Sequence, residues 1–171
     1  MKEEVIELDT VDKYNKFFGV ETYHPMVTVV DLSKITQPAQ PFTINYGIYA
    51  LFLKDTLCGD ITYGRQPYDY QEGTIVCFAP GQVASIHAQE GTRPTGYGLL
   101  FHPDFIRGTQ LGHDIRNYSF FSYEAREALH LSEEERHTVI DCLHKIDTEL
   151  RRPADKHSRR LITANIGLLL D

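Results

Sequence analysis

The chain has 171 residues, the length of one domain and enough to close a hydrophobic core. Hydrophobic residues make up 42% and charged residues 24%, which argues against intrinsic disorder. A net charge of -7 argues against a strong polyanion binder, because phosphate contact relies on clustered Lys and Arg.

In chain order, residues 10–19 read as a short helix, with Thr10 as N-cap and Gly19 as the stop. Tyr14, Phe17 and Phe18 recur at i, i+3 and i+4 and make one apolar face. From about 26 to 102, short β-branched and aromatic runs alternate with turn signals. The runs are 26–32, 46–53, 57–63, 74–79, 82–87 and 95–102, punctuated by Lys54-Asp55-Thr56, Glu72-Gly73 and Pro80-Gly81. This spacing predicts an all-β sandwich or barrel, with no room for crossover helices between parallel strands. The run 46–53 is apolar on both faces. Gly96 and Gly98 would leave one face of a strand bare, which suits close backbone approach.

Beyond residue 103 the strands stop. Residues 103–108 fit a helical turn, Tyr118–Phe121 an apolar patch and 124–129 a short helix. Ser132-Glu133-Glu134-Glu135 reads as a capping box opening a helix to Leu150, with Arg151 and Arg152 at its negative end and Pro153 as the stop. A second helix begins near Asp155 and completes an αα-hairpin. Val139, Leu143, Ile146 and Leu150 form one apolar stripe of this hairpin. Leu161, Ile162, Ile166 and Leu169 form another. Two stripes exceed what one flank needs, so one of them, the second by preference, is expected to dimerise. The final Leu168-Leu169-Leu170-Asp171 carries no stop signal and reads as a cut at a domain boundary. The basic stretch from Arg151-Arg152 to Arg159-Arg160 reads as a helix C-terminal bias and a solvated face.

Cys58, Cys77 and Cys142 are odd in number and widely spaced, without C-x-x-C; Cys58 and Cys77 read as small buried hydrophobes in a reducing compartment. Met1-Lys2-Glu3-Glu4 opens no signal peptide, and no apolar run reaches the ~18 residues of a membrane span, so a cytoplasmic location is expected. The sequon Asn117-Tyr118-Ser119 means nothing without secretion.

No H-x-H pair occurs among His24, His87, His102, His113, His130, His137, His144 and His157, so a metal barrel lacks its ligand set. His137 and His144 read as solvent-side helix residues, and His87 as a structural histidine at a strand end. There is no G-x-S-x-G, P-loop or G-x-G-x-x-G. Ser85 and His87 share a strand face, but no nearby acid completes a triad. Ten tyrosines and no tryptophan are the more informative signal. Tyr46, Tyr49, Tyr63, Tyr68, Tyr70 and Tyr97 fall on or beside strands, where rings and hydroxyls could line an apolar pocket with a few polar groups. On one regular strand Tyr46 and Tyr49 must face opposite ways.

The stretch from Glu72 to Gln82, ending in Pro80-Gly81, resembles the second conserved block of cupins. With Phe17-Phe18-Gly19, Tyr23-His24-Pro25, Phe101-His102-Pro103-Asp104-Phe105, Tyr118-Ser119-Phe120-Phe121 and Asp155-Lys156-His157-Ser158-Arg159-Arg160-Leu161, nearly the whole chain is similar to the N-terminal sensor region of AraC-type transcription regulators, particularly those of Bacteroides-like bacteria. The resemblance implies a cupin-like barrel, a dimerising helical linker and a helix-turn-helix domain outside this chain. Ala84 stands where a metal-binding cupin's second block would place its His.

The resulting expectation is a mainly β protein. A cupin-like (double-stranded β-helix or jelly-roll) barrel with a short N-terminal helix would occupy 1–130, followed by a dimerising αα-hairpin over 131–171. Its function would be non-catalytic effector binding in the barrel, with Tyr46, Tyr63, His87 and Tyr97 as ligand-binding candidates. No metal, cofactor or membrane contact is expected. The partners would be a small molecule (sugars being common in the family), a second copy of the chain, and DNA only through the missing domain. The alternatives are a cupin enzyme, such as a metal-dependent isomerase or dioxygenase, and an interaction module whose barrel is filled with side chains.

Overall fold

A computed structural model describes residues 5–35, 42–54, 59–63, 66–67, 74–88, 96–117, 129–130, 132–152 and 156–170. The expected apolar patch at 118–121, nearly all of the short helix at 124–129, Tyr68, Tyr70 and Cys58 lie outside these residues.

The chain opens with strand β1 (Val5–Leu8), which pairs in parallel with β3, and helix α1 (Val11–Phe18). Thr10 caps α1 by accepting from the Lys13 N–H at 3.1 Å. β2 (Val27–Asp31), a 3-10 turn (Leu32–Lys34), β3 (Phe42–Tyr46) and β4 (Tyr49–Lys54) follow. Then come β5 (Gly59–Tyr63), β6 (Gln66–Pro67), β7 (Thr74–Phe78), β8 (Val83–Ala88) and β9 (Gly96–Phe101). The remainder is helical apart from a two-residue strand: α2 (Pro103–Ile106), α3 (Gln110–Asp114), a 3-10 turn (Ile115–Asn117), β10 (Leu129–His130), α4 (Glu133–Leu150) and α5 (Lys156–Leu170).

The strands form two five-stranded sheets, ordered β1-β3-β8-β5-β6 and β10-β7-β4-β9-β2. Period-2 alternation along the second sheet divides the interior into two cores. Val30, Ala50, Phe52, Val76, Phe78 and Leu100 face the first sheet and pack with Leu8, Phe42, Ile44, Tyr46 and Ala84; Tyr14 and Phe18 of α1 join this cluster. Leu51, Leu53, Ile75, Cys77, Leu99 and Phe101 face the other way, onto a helical layer that contributes Phe105, Ile106, Leu143, Ile146, Ile162 and Ile166. The protein is therefore three layers: sheet, sheet, helices.

This corrects the mainly β barrel expected from the strand spacing. Neither sheet closes on itself, and the helical share is large, with 18 residues in α4 and 15 in α5 alone. The physical reason lies in β4, β7 and β9, which are apolar on both faces. A barrel strand needs only its inner face covered, whereas these require a second cover, and the helices supply it. The αα pair is thus no appendage to a barrel, and the boundary drawn at residue 130 separates stretches of chain while the second core runs across it.

The run 46–53 is also two strands and not one. Tyr46 ends β3 in the first sheet and Tyr49 begins β4 in the second. Gly47 makes this crossing possible: its N–H donates to the Leu8 carbonyl at 2.9 Å, and a Cβ there would lie 2.6 Å from the Asp9 Cβ. Gly98 plays the close-approach role its spacing suggested. A Cβ at Gly98 would sit 3.0 Å from the Phe52 ring, which fills the bare face.

Helix α4 starts where the capping box placed it. Ser132 Oγ accepts from the Glu135 N–H at 3.1 Å, and Glu135 accepts from the Ser132 N–H at 3.1 Å. Hydrogen bonding from the Ser132 N–H, with a further contribution from the Ser132 hydroxyl, holds the Glu135 carboxyl below its ordinary range.

Candidate functional site

A polar concavity lies at the seam between the second sheet and the helical layer. Helix α1 stops at Gly19, and residues 20–23 carry the chain across to β2, the edge strand of the sheet. At the end of β2, Asp31 accepts from the Ser33 N–H at 3.0 Å and from its hydroxyl at 2.6 Å. This cap winds the 3-10 turn that sets Lys34 on the rim. Asp31 is paired in register with Tyr97 of β9, so the two lie side by side on the helix-facing surface. Helix α4 closes the opposite wall with His144, Asp147 and Arg151, spaced i, i+3 and i+7 along one face. These groups enclose a cleft of about 520 Å³, within the usual range of small-molecule sites.

Its interior is wired by charge and aromatic contact. Arg151 Nε donates to Asp147 at 3.2 Å, and this carboxylate raises the Arg151 pKa, keeping it charged. The guanidinium lies 4.5 Å over the Tyr23 ring, and its Nη1 donates to the Tyr23 hydroxyl at 3.3 Å. That hydroxyl donates in turn to Glu21 at 3.2 Å. The Tyr97 and His144 rings meet edge to face at 5.6 Å. Loop, sheet and helix thereby line one cavity.

Of the two candidate ligand residues whose side chains are described, Tyr97 lines this cleft and Tyr46 does not. Tyr46 is 2% exposed in the core between the sheets, stacked on Phe78 at 4.8 Å. Burial pushes its phenol well above its ordinary pKa. Tyr46 and Tyr97 belong to different cores, with the second sheet between them, so they do not share a pocket. Tyr63 pairs in register with Ala84, and His87 with Asp60; the side chains of Tyr63 and His87 lie outside the described residues. Ser85 shares a 2.8 Å hydrogen bond with Thr43. Among the described residues no three His, Cys, Asp or Glu side chains are placed to hold a metal ion.

The residues that sequence reading missed are Glu21, Tyr23, Asp31, Lys34, Asp147 and Arg151. Arg151 was legible as a helix C-terminal cation and Asp147 as its i−4 partner. Their convergence on Tyr23, 128 positions away in sequence, has no local signature.

The eight dimerisation candidates divide in a similar way. Val139, Leu143, Ile146 and Leu150 are buried in the chain's own second core, as are Ile162, Ile166 and Leu169. Leu161 remains 48% exposed, and Leu168, not among the eight, is 56% exposed. The two are seven residues apart on α5, with Ala164 between them, and make an outward ridge. A groove of about 680 Å³ against α3, lined in part by Thr109, Asp114, Arg160 and Gly167, flanks one side of the ridge. A smaller groove against α4, lined in part by His144, Lys145 and Thr148, flanks the other.

No helix among the described residues is long and apolar enough to cross a membrane. No protein-family model matches the chain, and no curated protein matches it.

Proposed function

We propose that the chain is the effector-binding and dimerisation module of a cytoplasmic AraC-type transcription regulator, acting without catalysis. The observation that carries this reading is the cleft at the sheet–helix seam, which ties a ligand cavity to the helix pair. A small molecule seated there contacts β2 and β9 on one wall and α4 on the other, so its binding free energy depends on where α4 sits. Such dependence is what linkage requires: an effector shifts an equilibrium only by its differential affinity for the two arrangements. Coupling of this kind is typically about 1–3 kcal/mol, a change of about 5- to 150-fold.

The readout runs through α5, which packs on α4. Its outward ridge of Leu161, Ala164 and Leu168 lies between two grooves, so that a second copy related by two-fold symmetry can set its own ridge against them. Tilting α4 repositions this ridge and changes the spacing of two DNA-reading domains. DNA contact belongs to a helix-turn-helix domain outside these residues, because a net charge of -7 gives this chain little attraction for phosphate.

Light scattering coupled to size exclusion tests the reading. The chain is expected to run as a dimer, and Leu168→Arg, at an exposed position that costs the fold little, is expected to yield a folded monomer. A monomeric parent chain at about 100 μM, a concentration that populates even weak dimers, would overturn the dimer.

A further inference from the structure

We propose that the seam cleft takes a small zwitterion, a free α-amino acid or a molecule carrying an ammonium and a carboxylate at similar spacing; this rests on the reading of the cleft as the effector site. The charges on its walls decide the class. Arg151 is paired with Asp147, and that pair is internally neutral. What remains is Lys34, which makes no ion pair with any described residue, and two carboxylates, Asp31 and Glu21, lining the same cleft. Asp31 uses one oxygen on the Ser33 cap and Glu21 one oxygen on Tyr23, so each keeps its second oxygen for a donor.

A simple anion would gain Lys34 but face both carboxylates. A simple cation would gain the carboxylates but lie against Lys34. A neutral polyol would leave all three charges without an ionic partner. A zwitterion satisfies both signs: its carboxylate on Lys34 and its ammonium on Asp31 and Glu21. The edge-to-face pair of Tyr97 and His144 forms the adjoining wall, suited to the ligand's side chain.

Isothermal titration of the 171-residue chain with each standard amino acid tests this. The best binder is then compared with its carboxamide, which lacks the carboxylate, its N-acetyl form, which lacks the ammonium, and D-glucose as a neutral polyol. We expect saturable binding of at least one amino acid, weakened about ten-fold or more in either single-charge analogue, because each loses a charge-assisted hydrogen bond. Lys34→Gln, an exposed substitution that leaves the fold intact, should weaken the amino acid by a similar factor and leave the carboxamide unchanged, whereas Lys13→Gln on α1 should change neither. Undiminished affinity in either single-charge analogue relative to the parent amino acid, indifference to Lys34→Gln, or no binding by any amino acid would overturn the zwitterion. Glucose binding abolished by Tyr97→Ala would sink the ligand class while leaving the cleft as the effector site. Silence from every probe together with a monomeric chain would sink both.

Discussion

The two cores flanking the second sheet are built from the same strands and behave as opposites. Between the sheets, aromatic rings close the space: Tyr14 against Phe18 at 4.6 Å, Tyr46 stacked on Phe78 at 4.8 Å and Phe52 edge-on to Phe78 at 6.2 Å. Tyr14 and Tyr46 are fully buried, and burial raises both phenols far above their ordinary range, so they act there as apolar rings. On the other side, the core beneath α4 is equally dry at Leu143 and Ile146, but its margin at Tyr97 opens into a charged cleft. Among the described residues the space between the sheets is filled, so the proposed ligand chemistry falls to the seam where sheet meets helix. A seam is also where a ligand can move something, because its two walls belong to different layers.

The contrast breaks most directly at Phe52 and Tyr97. Phe52→Ala empties a ring from the sealed core, and urea unfolding should show a loss of about 3–5 kcal/mol. Tyr97→Ala removes a half-buried ring from the cleft wall and should cost about 1–2 kcal/mol, the partial burial scaling the transfer term down. Equal losses would mean that Tyr97 is core and the cleft an accident of its edge.

A smaller effect sharpens the same boundary. Gly98→Ala places a methyl 3.0 Å from the Phe52 ring, so the ring must shift within a packed layer. Overpacking of this kind costs about 1–3 kcal/mol. Phe52→Leu in the same chain should recover part of that loss, and the recovered coupling energy measures how tightly the sealed core is packed. Next in size is Ser132→Ala, which removes one half of the capping box of α4 and should cost about 1 kcal/mol. Because α4 is also a wall of the cleft, the same variant should weaken binding of the proposed amino acid ligand only slightly. A loss as large as that in Lys34→Gln would make helix anchoring, and not the charges, the source of affinity.

What the sequence made legible follows the range of the forces involved. The capping box at Ser132, the short helix opened by Thr10 and the close approach at Gly98 are local patterns, and each is found where the pattern put it. Strand existence was legible from turn spacing, yet the layer count was not. The two-faced apolar run at Leu51, Phe52 and Leu53 suits a barrel, a sandwich or a helix-covered sheet equally well until the distant partners are known. Gly47 was the available clue that residues 46–53 break into two strands, and the uninterrupted hydrophobicity around it concealed that break. The cleft was legible only through Tyr97. Tyr23, Lys34 and Arg151 come from a loop, a 3-10 turn and a helix end, each unremarkable alone, and only the tertiary fold sets them around one space.

The smallest expected effect concerns pH and tests the loop beside the cleft. His24 follows Tyr23, its Nδ1 accepts from the Met26 N–H at 3.0 Å, and its ring meets Phe105 edge to face at 5.5 Å. Burial lowers its pKa from the ordinary 6.5, because the charged imidazolium is poorly solvated there. The folded state therefore binds fewer protons at His24 than the unfolded state in the window just below 6.5. The stabilisation is complete above that value and is lost as pH falls through the lower folded pKa. Protonation also removes the lone pair that accepts the Met26 N–H, so the loop loosens as it charges. Thermal melts from about pH 7 to about pH 5 should show a shallow decline that His24→Gln flattens, since an amide does not titrate there. A decline of the same slope in His24→Gln would assign the pH dependence to other groups and leave this loop as a rigid rim of the cleft. A flattened slope, together with tighter amino acid binding at the higher pH, would place loop order and cleft occupancy in one equilibrium.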